Sequence, residues 1–137
     1  MKKFMRGRIK INNSPAFKMS ELIAEYASDY INLGKTTTER QSFLNGACTA
    51  WNIANLPDHM REIALQKIAH DYKEMNPGMG DVENHLYNMR KLIQKKLRMF
   101  PDIKKTIVNA FIEPLNGDQY RIKVISTDNP EALLRRK

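Results

Sequence analysis

The segment that most constrains this chain is residues 82–105, in which an apolar helical stripe lies beside a strongly basic face. Apolar residues recur there at steps of three and four, the spacing of an amphipathic helix, at Val82, Leu86, Met89, Ile93, Leu97 and Phe100. Such a stripe is stable only when other elements cover it. The segment therefore predicts a core-facing helix within a larger helical arrangement.

The other face of this segment is basic. Between residues 90 and 105 the chain has one acid, Asp102, and seven bases: Arg90, Lys91, Lys95, Lys96, Arg98, Lys104 and Lys105. Few acids lie three or four positions from these bases, so ion pairs along the helix cannot neutralise the face. The pattern favours either binding of a polyanion or a solvated helix surface without a ligand.

Composition and charge narrow the class of protein. The 137 residues fit one domain, and a hydrophobic fraction of 42% is too high for a disordered chain. The single cysteine, Cys48, cannot form an internal disulfide, which favours a reducing compartment and therefore the cytoplasm. No apolar run approaches the length of a membrane span, and the net charge of +8 favours partners of negative charge.

Four helices are predicted before residue 101. The first helix is predicted to start at Ser14 or Ser20 and to end before Gly34. A capping box of Thr36 and Glu39 starts the second helix, and Pro57 precedes the third. Asp81 caps the start of the fourth helix, and Pro101 ends it. The inner face of the third helix is predicted at Met60, Ala64, Ile68, Tyr72 and Met75, flanked by Ile63 and Leu65. Helices of similar length with short connections predict an up-and-down arrangement.

A β-hairpin is predicted after the helices. Residues 106–112 and 120–125 are rich in β-branched and aromatic side chains, and the Asn116-Gly117 pair between them is typical of a hairpin turn. The predicted inner face consists of Val108, Ala110, Ile112, Tyr120, Ile122 and Val124. Residues 4–11 alternate apolar and basic side chains, which predicts either a short third strand or a loose basic arm.

These elements predict an α+β fold that is mainly α, with about four helices, a C-terminal β-hairpin and a possible short N-terminal strand. As a single domain, residues 1–137 would divide into a basic arm or edge strand (1–13), a helical bundle (14–100), a β-hairpin (105–126) and a tail (127–137).

Few residues suggest catalysis or metal binding. His70 and Glu74 share a helical face and could hold a metal or exchange a proton, but no second histidine at helical spacing accompanies them. Trp51 among alanines and leucines is typical of a core residue rather than a stacking platform, and Cys48 has no nearby base or cation to activate it. The sequence therefore predicts no enzyme, no metal and no cofactor.

The predicted function is binding, with nucleic acid or an acidic protein surface as the partner and no membrane. The candidate contacts are Arg90, Lys91, Lys95, Lys96, Arg98, Lys104, Lys105, Arg121 and Lys123. The alternative is a protein–protein interaction module, such as an adaptor, an inhibitor or a mobile-element regulator, because eight methionines can form an adaptable surface or core. The methionines could also simply fill the core. Identity of the ligand, oligomeric state and pathway do not follow from the sequence.

Overall fold

The computed structural model describes residues 15–75 and 82–128. The order of elements is α1 Pro15–Ile31, α2 Thr37–Ala54, α3 Asp58–Met75, α4 Val82–Met99, β1 Thr106–Pro114 and β2 Tyr120–Thr127. This order confirms the predicted α+β class with four helices and a C-terminal antiparallel hairpin. The predicted strand at residues 4–11 and most of the predicted tail lie outside the described residues.

The chain divides into two compact units, and the boundary falls inside α2. The hairpin unit comprises Met1–Cys48 and Lys105–Lys137, and the helical unit comprises Thr49–Lys104. The prediction of a single domain stays a prediction. Within residues 15–75 and 82–128, no helix combines the length and the apolar character that crossing a membrane requires.

The core of the hairpin unit lies between α1, the first part of α2 and the inner face of the hairpin. Its fully buried side chains include Ile23, Tyr26, Leu44 and Tyr120. The Tyr26 hydroxyl donates to the Ala47 carbonyl across a distance of 3.4 Å, so a buried polar group keeps a partner. Burial raises the pKa of the Tyr26 hydroxyl well above its ordinary value.

The connection between α1 and α2 follows the predicted capping box with one change. The Glu39 N–H donates to Thr36 Oγ1 at 3.1 Å, whereas the Glu39 carboxylate accepts from the Lys35 N–H at 2.6 Å instead of from Thr36. Gly34 follows the end of α1 as predicted, but for a steric reason. A Cβ at Gly34 would lie 2.9 Å from the Arg40 backbone nitrogen, so only glycine lets α2 begin so close.

The hairpin pairs Ala110 with Val124 and Ile112 with Ile122. These four side chains are buried together with Tyr120, as the alternation in the sequence predicts. The prediction for Val108 is wrong, because the register shifts at a β-bulge between Ile107 and Asn109. One extra residue reverses the alternation, so that Ile107 is buried and Val108 is only half-buried.

The turn of the hairpin explains the Asn116-Gly117 pair. The Gln119 N–H donates to the Asn116 carbonyl at 3.2 Å, and Gly117, at the first central position, has a φ of 63°. No other residue in the described chain has a positive φ. This is the pattern of a type II′ turn, whose twist matches that of the two strands and which favours glycine at this position.

Polar side chains from both helices cap the outer edges of the hairpin. On the β1 edge, the Gln41 amide donates to the Ala110 carbonyl at 3.0 Å and accepts from the Ile112 N–H at 2.8 Å. On the β2 edge, Ser20 Oγ accepts from the Val124 N–H at 2.9 Å. The described part of the chain therefore holds a two-stranded sheet whose edges are partly satisfied by side chains rather than by a third strand.

Candidate polyanion-binding surface

The helical unit is built around α3 and α4, which pack in antiparallel orientation. Tyr72 of α3 stacks on His85 of α4 with ring centroids 4.5 Å apart and an interplanar angle of 14°. Further along, Arg90 of α4 reaches Glu62 of α3 at 2.6 Å. Burial lowers the pKa of His85, and the Arg90 hydrogen bond lowers the pKa of Glu62. These contacts fix which side of α4 faces its neighbour.

The predicted inner face of α3 is displaced from the real one. Leu65 and Ala69 are the buried residues of the described part of this helix, whereas Met60 is 42% exposed. Because neighbouring apolar residues lie on several sides of α3, more than one stripe could be drawn through them. Packing against α4 selects the stripe that contains Leu65 and Ala69.

The buried side of α4 agrees with the predicted stripe at its centre. Leu86, Met89 and Ile93 are buried, and Leu92 joins them. The opposite side carries Tyr87, Lys91, Gln94 and Arg98, which are exposed and separated by steps of four, three and four residues. Lys91, Lys95 and Arg98 form what we call the basic row, with Lys95 half-buried on its flank. Lys104 is exposed beyond the end of α4.

The basic row lacks compensating carboxylates. Among the described residues, no Asp or Glu oxygen forms a salt bridge with Lys91, Lys95, Arg98 or Lys104. Three other bases of the same unit are paired: Arg61 with Asp58 at 3.1 Å, Lys67 with Asp71 at 3.4 Å and Arg90 with Glu62 at 2.6 Å. Lys73 of α3 is exposed and, like the basic row, forms no salt bridge with a described carboxylate. The positive charge of the helical unit is therefore left uncompensated along the exposed side of α4, where an anion can reach it.

Lys96 is the main correction to the predicted site. The prediction that it lies on the exposed basic face is wrong, because its relative exposure is 0%. Position 96 follows Leu92 and Ile93 by four and three residues, so it continues the buried stripe rather than the basic one. The Lys96 ammonium donates to Asn55 Oδ1 and to the Ile103 carbonyl, each at 2.7 Å, and lies 5.1 Å from the Trp51 ring centroid. It is not available to a phosphate.

The remaining predicted contacts are distributed unevenly. Arg90 is engaged by Glu62, so its charge is already matched. Lys105, Arg121 and Lys123 belong to the hairpin unit. There Lys105 pairs with Asp128 at 2.9 Å and Arg121 approaches Glu113 at 3.6 Å, while Lys123 is exposed opposite Phe111. Of the nine candidates, Lys91, Lys95, Arg98 and Lys104 thus combine solvent access with unmatched charge in one unit.

Tyr87 is a residue of this surface that the sequence pattern did not select. It lies one turn before Lys91, is 58% exposed, and has the Lys91 ammonium 5.2 Å from its ring centroid. Tyr87 does not belong to the apolar stripe, because it lies on the charged side of the helix. Its spacing of four residues from Lys91 was the available signal.

The catalytic candidates do not form a pocket. His70 Nε2 lies 3.9 Å from Glu74 Oε2, and both side chains are 69% exposed on the outer side of α3. Within the described ranges there is no group of three or more His, Cys, Asp or Glu side chains that could hold a metal ion. Cys48 is buried, and burial raises the pKa of its thiol to about 12, so the thiol stays protonated at neutral pH. Trp51 is fully buried and serves as core.

A shallow polar cleft of about 250 Å³ lies in the hairpin unit, lined by Asn32, Gly34, Lys35, Arg40 and Asp118. The cation at its centre, Arg40, already forms an ion pair with Asp118. Arg40 donates to Asp118 at 2.9 Å and to the Gly34 carbonyl at 3.2 Å, and its guanidinium carbon lies 5.1 Å from the Tyr120 ring centroid. The Tyr120 hydroxyl in turn donates to Asn32 at 2.7 Å. This network joins the hairpin turn to the helices and is structural.

Comparison with known proteins adds no constraint: no family model, no curated protein and no solved structure matches the chain.

Proposed function

We propose that this protein is a small cytoplasmic, non-enzymatic binding protein that associates with nucleic acid through the exposed side of α4. The observation that carries the proposal is the unmatched charge of Lys91, Lys95 and Arg98, extended by Lys104, next to bases that are ion-paired. A solvated face without a ligand usually mixes both signs of charge along its length, whereas this side of α4 carries only bases from Lys91 onward and has its one acid, Glu83, in the first turn.

The chemistry of the row indicates how it would bind. Lys91 and Arg98 lie seven residues apart, which places their Cα atoms about 10 Å apart along the helix axis. Lysine and arginine at such intervals contact phosphates and release counterions, and they carry no base sequence information themselves. We therefore expect binding that is strongly dependent on salt and tolerant of sequence.

Charge reversal at the two exposed residues of the basic row, Lys91 and Arg98, tests the proposal. We expect Lys91→Glu/Arg98→Glu to weaken binding of fluorescein-labelled oligonucleotides at least tenfold at about 50 mM salt, because it removes two phosphate contacts and adds two repulsive charges. The matched control is Lys35→Glu/Lys73→Glu, which changes net charge equally at two exposed bases that are not part of the basic row. Fluorescence anisotropy gives the affinities, and thermal melts confirm that both variants fold.

Equal losses in the two variants would show that only net charge matters and would contradict a site on α4. Full binding by the Lys91→Glu/Arg98→Glu variant would do the same.

The alternative is a protein-interaction module, and one observation favours it. Phe111 and Ile125, 43% and 52% exposed, lie diagonally across the outward face of the hairpin with Lys123 opposite Phe111. Exposed apolar side chains beside a free lysine fit an acidic protein surface with apolar anchors. This is the function to pursue if no nucleic acid binds at low salt.

A further inference from the structure

Tyr87 is more exposed than the other four tyrosines, of which Tyr30 and Tyr72 are half-buried. Tyr26 and Tyr120 are buried, at 0% and 2% relative exposure, and their hydroxyls donate to the Ala47 carbonyl and to Asn32. Tyr87 instead exposes 58% of its surface in the middle of a charged helix face. Its ring does not contribute to the core and is accessible to a ligand from solvent.

The neighbours of Tyr87 suit one kind of ligand. The Lys91 ammonium lies 5.2 Å from the ring centroid, and Arg98 follows on the same side of α4. An exposed cation–π contact is weak, so the flexible lysine can leave the ring for a phosphate at little cost. An aromatic ring followed by two cations along a helix offers a stacking surface for a nucleobase. The two cations can contact the neighbouring phosphates of the same nucleic-acid strand.

From this arrangement, and resting on the proposed function, we infer that the ligand class is single-stranded nucleic acid, with one base stacked on Tyr87 and neighbouring phosphates on Lys91 and Arg98. In a duplex, both faces of each internal base are covered by its neighbours, so Tyr87 gains nothing there. In a single strand the bases are free to turn outward and stack on an aromatic side chain. Because every base has a π-face, this contact tolerates any sequence.

The variants Tyr87→Ala and Tyr87→Phe test the stacking contact directly. The probes are fluorescein-labelled oligouridine RNA, an abasic oligodeoxynucleotide of equal length and a DNA duplex. We expect Tyr87→Ala to weaken oligouridine binding about tenfold, because stacking on an aromatic ring is lost, and Tyr87→Phe to bind like the unmodified protein. Duplex affinity and the salt dependence should change little, because no phosphate contact is removed.

The abasic probe separates stacking from charge. It keeps the phosphates and lacks the bases, so the unmodified protein should bind it more weakly than oligouridine, whereas Tyr87→Ala should bind both alike. If Tyr87→Ala binds oligouridine as tightly as the unmodified protein while Lys91→Glu/Arg98→Glu does not, the stacking inference is overturned and the proposed function stands. If the unmodified protein binds none of the three probes at low salt, both are overturned.

Discussion

The free energy of unfolding should contain a contribution from Lys96 that rises by about 2 to 3 kcal/mol between about pH 7 and about pH 10. Replacing Lys96 with methionine should abolish this rise. Lys96 is fully buried, and burial lowers its pKa from the ordinary lysine value to about 8, with the charges of Lys104 and Arg61 adding to the effect. The surrounding carbonyl oxygens and the Trp51 ring hold the ammonium in place but do not offset its loss of water.

The direction of the effect follows from proton binding. In the unfolded chain a lysine keeps its proton up to about pH 10.4, whereas native Lys96 releases its proton near pH 8. Between these values the unfolded state binds more protons, so the Lys96 contribution to the free energy of unfolding rises with pH. Below pH 8 both states are charged, and the cost of burying the ammonium is present in full.

Cys48 acts in the opposite direction and has to be separated from Lys96. Its native pKa is raised to about 12, so in mildly alkaline solution the unfolded thiol loses a proton that the native thiol keeps. That difference lowers stability as pH rises. Because Cys48 is present in every variant, its contribution cancels when two variants are compared at each pH.

The measurement is urea unfolding between about pH 7 and about pH 10. It compares the unmodified protein with Lys96→Met and Lys96→Arg. The two variants lack a group at position 96 that titrates there, so their stability curves should run parallel to each other. The unmodified protein should gain about 2 to 3 kcal/mol relative to both. Three parallel curves would contradict the burial of a titrating ammonium at this position.

Gln41→Ala should lower the free energy of unfolding by about 2 kcal/mol and expose an edge of the hairpin. The Gln41 amide is the partner of both the Ala110 carbonyl and the Ile112 N–H, which lie in a partly buried environment. Alanine leaves two backbone groups unpaired, and each such loss costs on the order of 1 kcal/mol or more. The freed edge also becomes available for pairing with another chain.

Gln66→Ala is the matched control, because within residues 15–75 and 82–128 the Gln66 amide bonds only to the exposed Glu62 carboxylate. We expect it to cost less than about 0.5 kcal/mol. Urea unfolding compares the stabilities, and sedimentation velocity at rising concentration detects self-association of Gln41→Ala. Equal stability of the two variants would show that the hydrogen bonds of Gln41 do not stabilise the β1 edge.

Local patterns predicted the elements of this fold well. The three-and-four spacing located α4 and its buried Leu86, Met89 and Ile93, and the Asn116-Gly117 pair located the hairpin turn. These features depend on residues within one or two turns of each other, so the sequence shows them directly. The capping box at Thr36 and Glu39 was predictable for the same reason.

The features that the sequence did not reveal depend on distant partners. Gln41 meets β1 about seventy residues later in the chain, and Ser20 meets Val124 across more than a hundred residues, so no local pattern marks either contact. The bulge at Ile107 depends on strand pairing, since valine and isoleucine are equally suited to either face.

The candidate site shows the same division between local and distant information. The row of Lys91, Lys95 and Arg98 and its lack of acids within the helix are visible in the sequence, whereas its lack of carboxylate partners on α3 follows only from the packing of α3 on α4. The charge pattern groups Lys96 with the exposed bases, although its helical position belongs to the buried side. The same rule of three and four residues that identified Ile93 as buried also applies to Lys96.

The most direct test of the proposed function is the salt dependence of oligouridine binding by the unmodified protein, measured by fluorescence anisotropy. If four basic side chains each neutralise one phosphate of a single strand, the plot of log affinity against log salt concentration has a slope of about −3. The Lys91→Glu/Arg98→Glu variant should show a shallower slope. Absence of binding at about 50 mM salt, or a slope near zero, would contradict an electrostatic nucleic-acid site on α4.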